Sequence, residues 1–335
     1  MVSVIDVVPS VEEIANYKIP NALEAIGSRR SIRWYDPNRP VEKWKIQAML
    51  EAARLASTVG NVCAVGAVVC YRDEHPEIWE FISDWSQIQA QLAPVLIFWY
   101  YDMAAWDTQG QLIHDLLRVG AVDRAHGWEY DRVCRMFPLP KILPDVILHR
   151  ITAIDLGNAT QNAMIVATAL GLGCCLNGMG GAVRRKLPEY LNLPRTAVLC
   201  WMMTVGYPAE DPRAGGQRPR RPFEEMFFEG KFGKPFKRDK RVVELLRKLG
   251  LIQDEAPLPN RLNEINTLTK AFGLGDEWLT DWKLEKSGYI KPGVIRDPPL
   301  TKLPKEEVEK TVFRVHPTVL RERAEEYRRT KGIKE

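Results

Sequence analysis

The strongest signal along the chain is a change of hydrophobic period. From Thr152 to Leu172 apolar residues recur at the helical interval (Ile154, Ala159, Ile165, Val166, Ala169, Leu170), and Gly171 and Gly173 mark the end of the pattern. Helices are also predicted near Asn21–Gly27, over Val41–Ala56, over Pro76–Leu92 with its proline at the start, and over Val183–Leu191. Between them lie unbroken apolar runs of strand length: "AVGAVVCY" (64–71), "PVLIFWYYD" (94–102), "CCLNGM" (174–179) and "AVLCWMMTVGYP" (197–208). Strands interleaved with helices predict α+β or α/β layering.

Two regions keep no such order. Residues 103–150 hold Trp106, His114, His126, Trp128, Tyr130 and Phe137 among short helical patches and read as an insertion or lid. After about residue 230 the chain turns rich in Lys, Arg, Glu and Pro. It offers an amphipathic helix at Val242–Leu249 closed by Gly250, and charged helices near Pro304–Lys310 and Pro317–Thr330. The expected organisation is therefore an arm (1–20), a body (21–230) with the lid at 103–150, and an extension (231–335) wrapping the body or a partner subunit.

Composition narrows the class. The 335 residues are 45% hydrophobic, ample for a large core, and the 27% charged residues nearly balance at a net charge of +4. That field is too weak to argue for nucleic acid. No run approaches 18 uncharged apolar residues, so no membrane span is expected, and the start does not read as a signal peptide. The six cysteines make no C-x-x-C; buried thiols in a reducing cytoplasm are the expectation, and no metal site is.

Two basic clusters stand out against this even background. "SRRSIRWYD" (28–36) crowds Arg29, Arg30 and Arg33 together, and "QRPRRPFEE" (217–225) holds Arg218, Arg220 and Arg221. Either alone is most simply a solvated loop. Together they suit a phosphate monoester, because guanidinium forks bind phosphate in pairs and a dianion offsets the repulsion of crowding them. No Walker loop is present. "LGLGCCLNGMGG" (170–181) has glycines in the wrong order for a dinucleotide fingerprint: a helix precedes them and an extended run follows. A helix C-cap accounts for Gly171 and Gly173, but not for Asn177–Gly178–Met179–Gly180–Gly181, where slim residues let backbone N–H groups approach a flat ligand.

At these residues the chain resembles the flavin-dependent nitroreductase family. "RRSIRWYD" is similar to its R-R-S-x-R-x-F motif, and "AARLASTVGN" (52–61) to A-x-x-A-P-S-x-x-N. "GNATQNAMIVATALGLGCCLNGM" and "VGYPAEDP…RPRRPFEEM" are similar to its Q-N helix with following loop and its closing motif. The resemblance implies an α+β fold, a central, mainly antiparallel sheet flanked by helices, in an intertwined homodimer binding FMN at the subunit interface. By position Arg29, Arg30 and Ser31, with Arg218 and Arg220, would hold the phosphate and ribityl chain, and Arg33 would lie toward the N1–O2 edge of the ring. Ser57, Thr58 and Asn61 match a segment that reaches the ring from the partner subunit. Asn177, Gly178 and Met179 match the loop opposite N5. Gln161 and Asn162 match the helix pair, for which a purely structural role is an equal reading. The chain departs from the family at Ser57, where proline is usual, and at Cys63–Ala64–Val65, where Q-P-W is usual.

The resemblance implies hydride transfer from NADH or NADPH to flavin N5 and then to a flat, electron-poor acceptor such as a nitroaromatic or quinone. His126 and Tyr130 are candidate proton donors. The insertion's aromatic residues either stack over a substrate or pack the insertion onto the body. Two other readings share the fold: a flavin-dependent dehydrogenase, oxidase or flavin-fragmenting enzyme, and a non-catalytic flavin-binding homologue.

Overall fold

The computed structural model describes residues 2–83, 88–126, 139–179, 181–211, 216–253, 300–307 and, singly or in pairs, 264, 267–268, 270–271 and 329. The arm begins with β1 (Val4–Ile5), which pairs in parallel with β2 (Val41–Glu42), and continues into α1 (Val11–Ala15). Ser10 and Glu13 close a capping box on α1, each side chain taking the other residue's backbone N–H. Then come α2 (Ala22–Ser28), α3 (Lys43–Arg54), β3 (Val65–Tyr71), α4 (Pro76–Ile82), α5 (Ile88–Leu92), β4 (Val95–Asp102) and α6 (Gln109–Arg118). The long helix α7 (Asp145–Ala169) leads to β5 (Gly173–Asn177), α8 (Gly181–Tyr190), β6 (Ala197–Gly206) and finally α9 (Lys240–Lys248).

Strands β3 to β6 form one antiparallel sheet in the order β3-β4-β6-β5. On one face Ile97 and Trp99 of β4 and Met203 and Val205 of β6 pack with Ile46, Met49 and Ala53 of α3 and Leu156, Ala159 and Ala163 of α7. On the other, Leu96, Phe98 and Met202 pack with Ile78 and Ile82 of α4 and Leu187 of α8. Both faces of β4 are covered, which is why its sequence reads as a continuous apolar run and not as an alternation. The fold agrees with the expected sheet-and-helix layering.

Several boundaries differ from the sequence reading. Val41 and Glu42 belong to a strand, because the arm supplies a partner that period alone does not show; Val41 N donates to Ser3 O at 2.9 Å. Pro76–Leu92 holds two helices, not one. The long helix starts at Asp145, seven residues before the periodic stretch, and α6 gives order to part of 103–150. Trp106 is buried there, its indole N–H donating to Thr152 Oγ1 at 3.0 Å, so this aromatic packs the body. Trp128, Tyr130 and Phe137 lie outside the described residues, as does the predicted helix Pro317–Thr330 apart from Arg329.

The chain divides into two compact units: residues 1–113 with 150–268, and residues 114–149 with 269–335. The first contains the sheet. In the second, His126 Nδ1 lies 2.8 Å from Asp123 Oδ1 in an exposed turn. Among the described residues no helix is long and apolar enough to cross a membrane.

Candidate anion-binding site

Helix α2 is capped by Asn21, whose side-chain oxygen accepts the Glu24 N–H at 3.0 Å, and it ends at Ser28. Arg29 then turns the backbone extended (φ −57°, ψ 127°). The next residues run along the end of the sheet: Ser31 bridges Cys174, and Ile32 N donates to Cys174 O at 3.1 Å. Gly173 makes this possible, since a Cβ there would come within 2.7 Å of the Ile32 Cβ. Glu210 holds the same segment from the other side. Its carboxylate accepts from the backbone N–H of Arg33 at 2.5 Å and of Trp34 at 3.2 Å. The buried Tyr35 hydroxyl bonds to Ile32 O at 2.8 Å and shares a 2.7 Å hydrogen bond with Thr204 Oγ1.

This anchoring builds a cleft of about 370 Å³ lined by Ile26, Gly27, Arg29, Arg30, Ser31, Gln161, Gln217, Arg218 and Arg220. Both arginine clusters, far apart in sequence, meet in it. Four guanidinium groups line the cleft and, among the described residues, no carboxylate does. Arg30 is buried at 8% exposure. Its Nη1 donates to Gly27 O at 2.7 Å and Arg29 O at 3.0 Å, and Nη2 to Gln253 Oε1 at 2.6 Å. Its Nε is buried without a hydrogen-bond partner. Burial, then the neighbouring charges of Arg29 and Arg218, pull the Arg30 guanidinium below its ordinary value. A buried orphan donor among like charges is what an anion of two or more charges would satisfy.

The other candidates fall in different places. Gln161 lines the cleft, whereas Asn162 Nδ2 donates to Ala52 O at 3.2 Å and ties α7 to α3. The helix pair thus splits into one residue at the site and one structural tie. Arg33 turns its Nη1 to Ser31 O at 3.0 Å. The Asn177 side chain is committed to the sheet: it accepts from Gln89 Nε2 at 2.5 Å and donates to Cys175 O at 2.9 Å. Met179 is buried in the second core cluster, and only Gly178 of that trio is exposed. Cys70, Cys174 and Cys175 are buried; burial pushes the Cys174 thiol up to about 12 and the Cys70 thiol to about 11, as inert core thiols should be.

Ser57, Thr58 and Asn61 do not line the arginine cleft of their own chain. Thr58 lines a second cleft of about 280 Å³ with Leu50, Ala53, Arg54, Cys63 and Trp99. Ser57 and Asn61 are exposed beside it. Asn61 and Cys63 both adopt left-handed backbone (φ 55° and 52°), and the turn is pinned by Asp155, whose Oδ2 accepts the Val59 N–H at 3.1 Å. Desolvation raises the Asp155 carboxyl against that hydrogen bond. A carboxyl raised by folding costs stability where it is ionised, above its folded value, and costs nothing below its unfolded one. Asp155→Asn keeps an acceptor and removes the charge. It is expected to stabilise the fold by about 1 kcal/mol at pH 7, with the gain vanishing near pH 3 in paired denaturant melts. A variant that melts lower at both pH values would refute this.

Sequence reading missed three residues at the site. Gln217 lay in the quoted basic stretch, masked by its arginine neighbours. Glu210 sat unassigned inside the quoted closing stretch and Gln253 carries no motif; only the folded chain brings them to Arg33 and Arg30.

A four-stranded antiparallel sheet between helical layers, with a cationic cleft where α2 runs onto β5, defines an α+β protein with a candidate anion site. The chain belongs to the Nitroreductase family, which residues 26–207 match. It is 27% identical over 208 residues to Protein DrgA of Synechocystis sp., covering 59% of this chain and 88% of that protein. It is 29% identical over 94 residues to an NADPH-dependent oxidoreductase of Staphylococcus haemolyticus, covering 28% of this chain and only 37% of that one. A crystal structure of a nitroreductase in complex with FMN from Exiguobacterium sibiricum shares the fold, with a TM-score of 0.51 at 23% identity over 60% of this chain and 93% of that chain.

Proposed function

We propose that the protein is an FMN-dependent oxidoreductase that uses NADH or NADPH as its electron donor. The observation that carries the reading is the meeting of Arg29, Arg30, Arg218 and Arg220 in one cleft, with no carboxylate among its described lining residues and a buried, unpartnered Arg30 Nε. Those residues, with Ser31 and Gln161, would hold the phosphate and ribityl chain. Arg33, fixed through Glu210, would set a cation near the ring. Bound FMN would supply the hydride chemistry, from the nicotinamide donor and on to a flat, electron-poor acceptor. The protein's own share is to place the cofactor by its phosphate and to set the charge around it.

The segment holding Ser57, Thr58 and Asn61 lines a cleft other than the arginine one, which fits its serving a second subunit. We therefore read the working unit as a homodimer, each protomer lending this turn to its partner's cofactor. Cys63 and Val65 in that cleft stand where the family's usual wall is altered, so the acceptor is expected to differ from simple nitroarenes. His126 and Tyr130 remain proposed proton donors.

The test is a visible spectrum of the purified protein after addition of FMN, then of NADH or NADPH without oxygen. A flavin spectrum that bleaches with one nicotinamide supports the reading. A flavin spectrum indifferent to both would turn it toward a dehydrogenase or oxidase, and a protein that takes up no FMN would end it.

A further inference from the structure

The lining residues Gly27, Arg30 and Gln217 are backed by a segment that the family-matched residues 26–207 do not include. Helix α9 closes at Gly250, in left-handed backbone (φ 77°), with Leu251 N returning to Leu246 O at 3.0 Å. The backbone that follows lies directly on α2. A Cβ at Gly27 would stand 1.9 Å from Gly250 O and 2.7 Å from Leu251 Cα, so only glycine admits the contact. Gln217, next to Arg218, spans the two segments: its Nε2 donates to Gly27 O at 3.2 Å and Leu251 O at 2.8 Å. Gln253 Nε2 donates to Gly250 O at 3.0 Å, which aims its Oε1 at Arg30 Nη2.

We propose that residues 250–253 form a phosphate-dependent clasp on the cofactor site, with Gln253 a positioning residue that aims the Arg30 guanidinium at the cofactor's phosphate. The inference rests on the flavin reading above. Its physical basis is that, among the described residues, every acceptor Arg30 meets is neutral: two backbone carbonyls and one amide. Neutral acceptors orient a guanidinium without cancelling its charge. A carboxylate at position 253 would compete with the ligand. Without an anion, Arg30 faces the like charges of Arg29 and Arg218, and the clasp must hold it there against repulsion. With a dianion present the repulsion becomes attraction. Clasp docking and phosphate binding then favour each other equally, as linkage requires.

The experiment compares FMN with riboflavin, which lacks the phosphate, on wild type, Gln253→Leu and Gln253→Glu, by flavin fluorescence titration. Hydrogen exchange is followed in parallel at the amides of 246–253. Gln253→Leu should weaken FMN about tenfold and leave riboflavin unchanged, the size expected for losing one hydrogen bond to a charged donor. Gln253→Glu, which keeps an acceptor toward Arg30 but loses the donor to Gly250 O, should weaken FMN about a hundredfold by adding a negative charge beside the phosphate. FMN, but not riboflavin, should slow exchange at 246–253. The clasp is overturned if either variant binds FMN as tightly as wild type, if both flavins weaken together, or if FMN leaves the exchange unchanged. A wild-type protein that binds neither flavin overturns the flavin reading itself, an outcome distinct from the others.

Discussion

Arg29→Ala is expected to weaken FMN binding by about 2–5 kcal/mol, roughly 30-fold to several thousandfold, because it removes a charged partner from an anion that stays desolvated. Arg29 lines the cleft with Arg30, Arg218 and Arg220, and its position is fixed by the end of α2 and the Ser31–Cys174 bridge. Arg30 cannot swing in to replace it, because it is held by Gly27 O, Arg29 O and Gln253. Riboflavin affinity should change far less, and the FMN loss should shrink as salt rises, since screening weakens the whole cluster. Equal affinities of wild type and variant for FMN at low salt would remove Arg29 from the site.

Lys45→Ala should cost about 3–5 kcal/mol of stability, the range for stripping one partner from a buried ion pair. Lys45 is 2% exposed. Its Nζ donates to the Tyr207 hydroxyl at 2.6 Å and Leu170 O at 3.1 Å, and lies 3.4 Å from the Glu42 carboxylate. Tyr207 in turn donates to Glu42 at 2.7 Å. The lysine thus joins the β2–α3 corner, the carbonyl end of α7 and the end of β6. Burial opposes its charge, but the Tyr207 hydroxyl and Glu42 outweigh burial and raise the ammonium above its ordinary 10.5. A raised basic group gives its full stabilisation below its unfolded value and loses it as pH climbs through the folded one. The gap between wild type and variant should therefore be constant from about pH 6 to 9 and narrow above about 10.5 in denaturant melts. A loss under about 1 kcal/mol at pH 7 would show the network to be dispensable. Because Ala209 N bonds Trp34 O just beyond Tyr207, and Glu210 holds Arg33, the variant should also loosen FMN.

The apolar runs at 64–71, 94–102 and 197–208 announced the central strands, since burial on both faces leaves little room for polar residues. The 3.6 period announced the long helix, although its first turn, at Asp145–Arg150, lacked the pattern. The arginine pairs were legible too, because repulsion among crowded cations demands either solvent or an anion. Cap and close-approach glycines were only half legible. Gly171 does close the helix in left-handed backbone, but Gly173 is there to let Ile32 approach. Nothing in sequence distinguishes those two reasons for a missing side chain.

Periodicity and charge crowding are local quantities, and they were enough to set the layers of this protein and to mark both arginine clusters that line the cleft. Which residues complete the cleft depends on pairings across about 180 to 220 positions, such as Arg33 with Glu210 and Arg30 with Gln253. A glutamine or a glutamate far down the chain carries no periodic mark. It acquires a role only when backbone packing, here Gly27 against Gly250, brings it within hydrogen-bond reach of a buried charge.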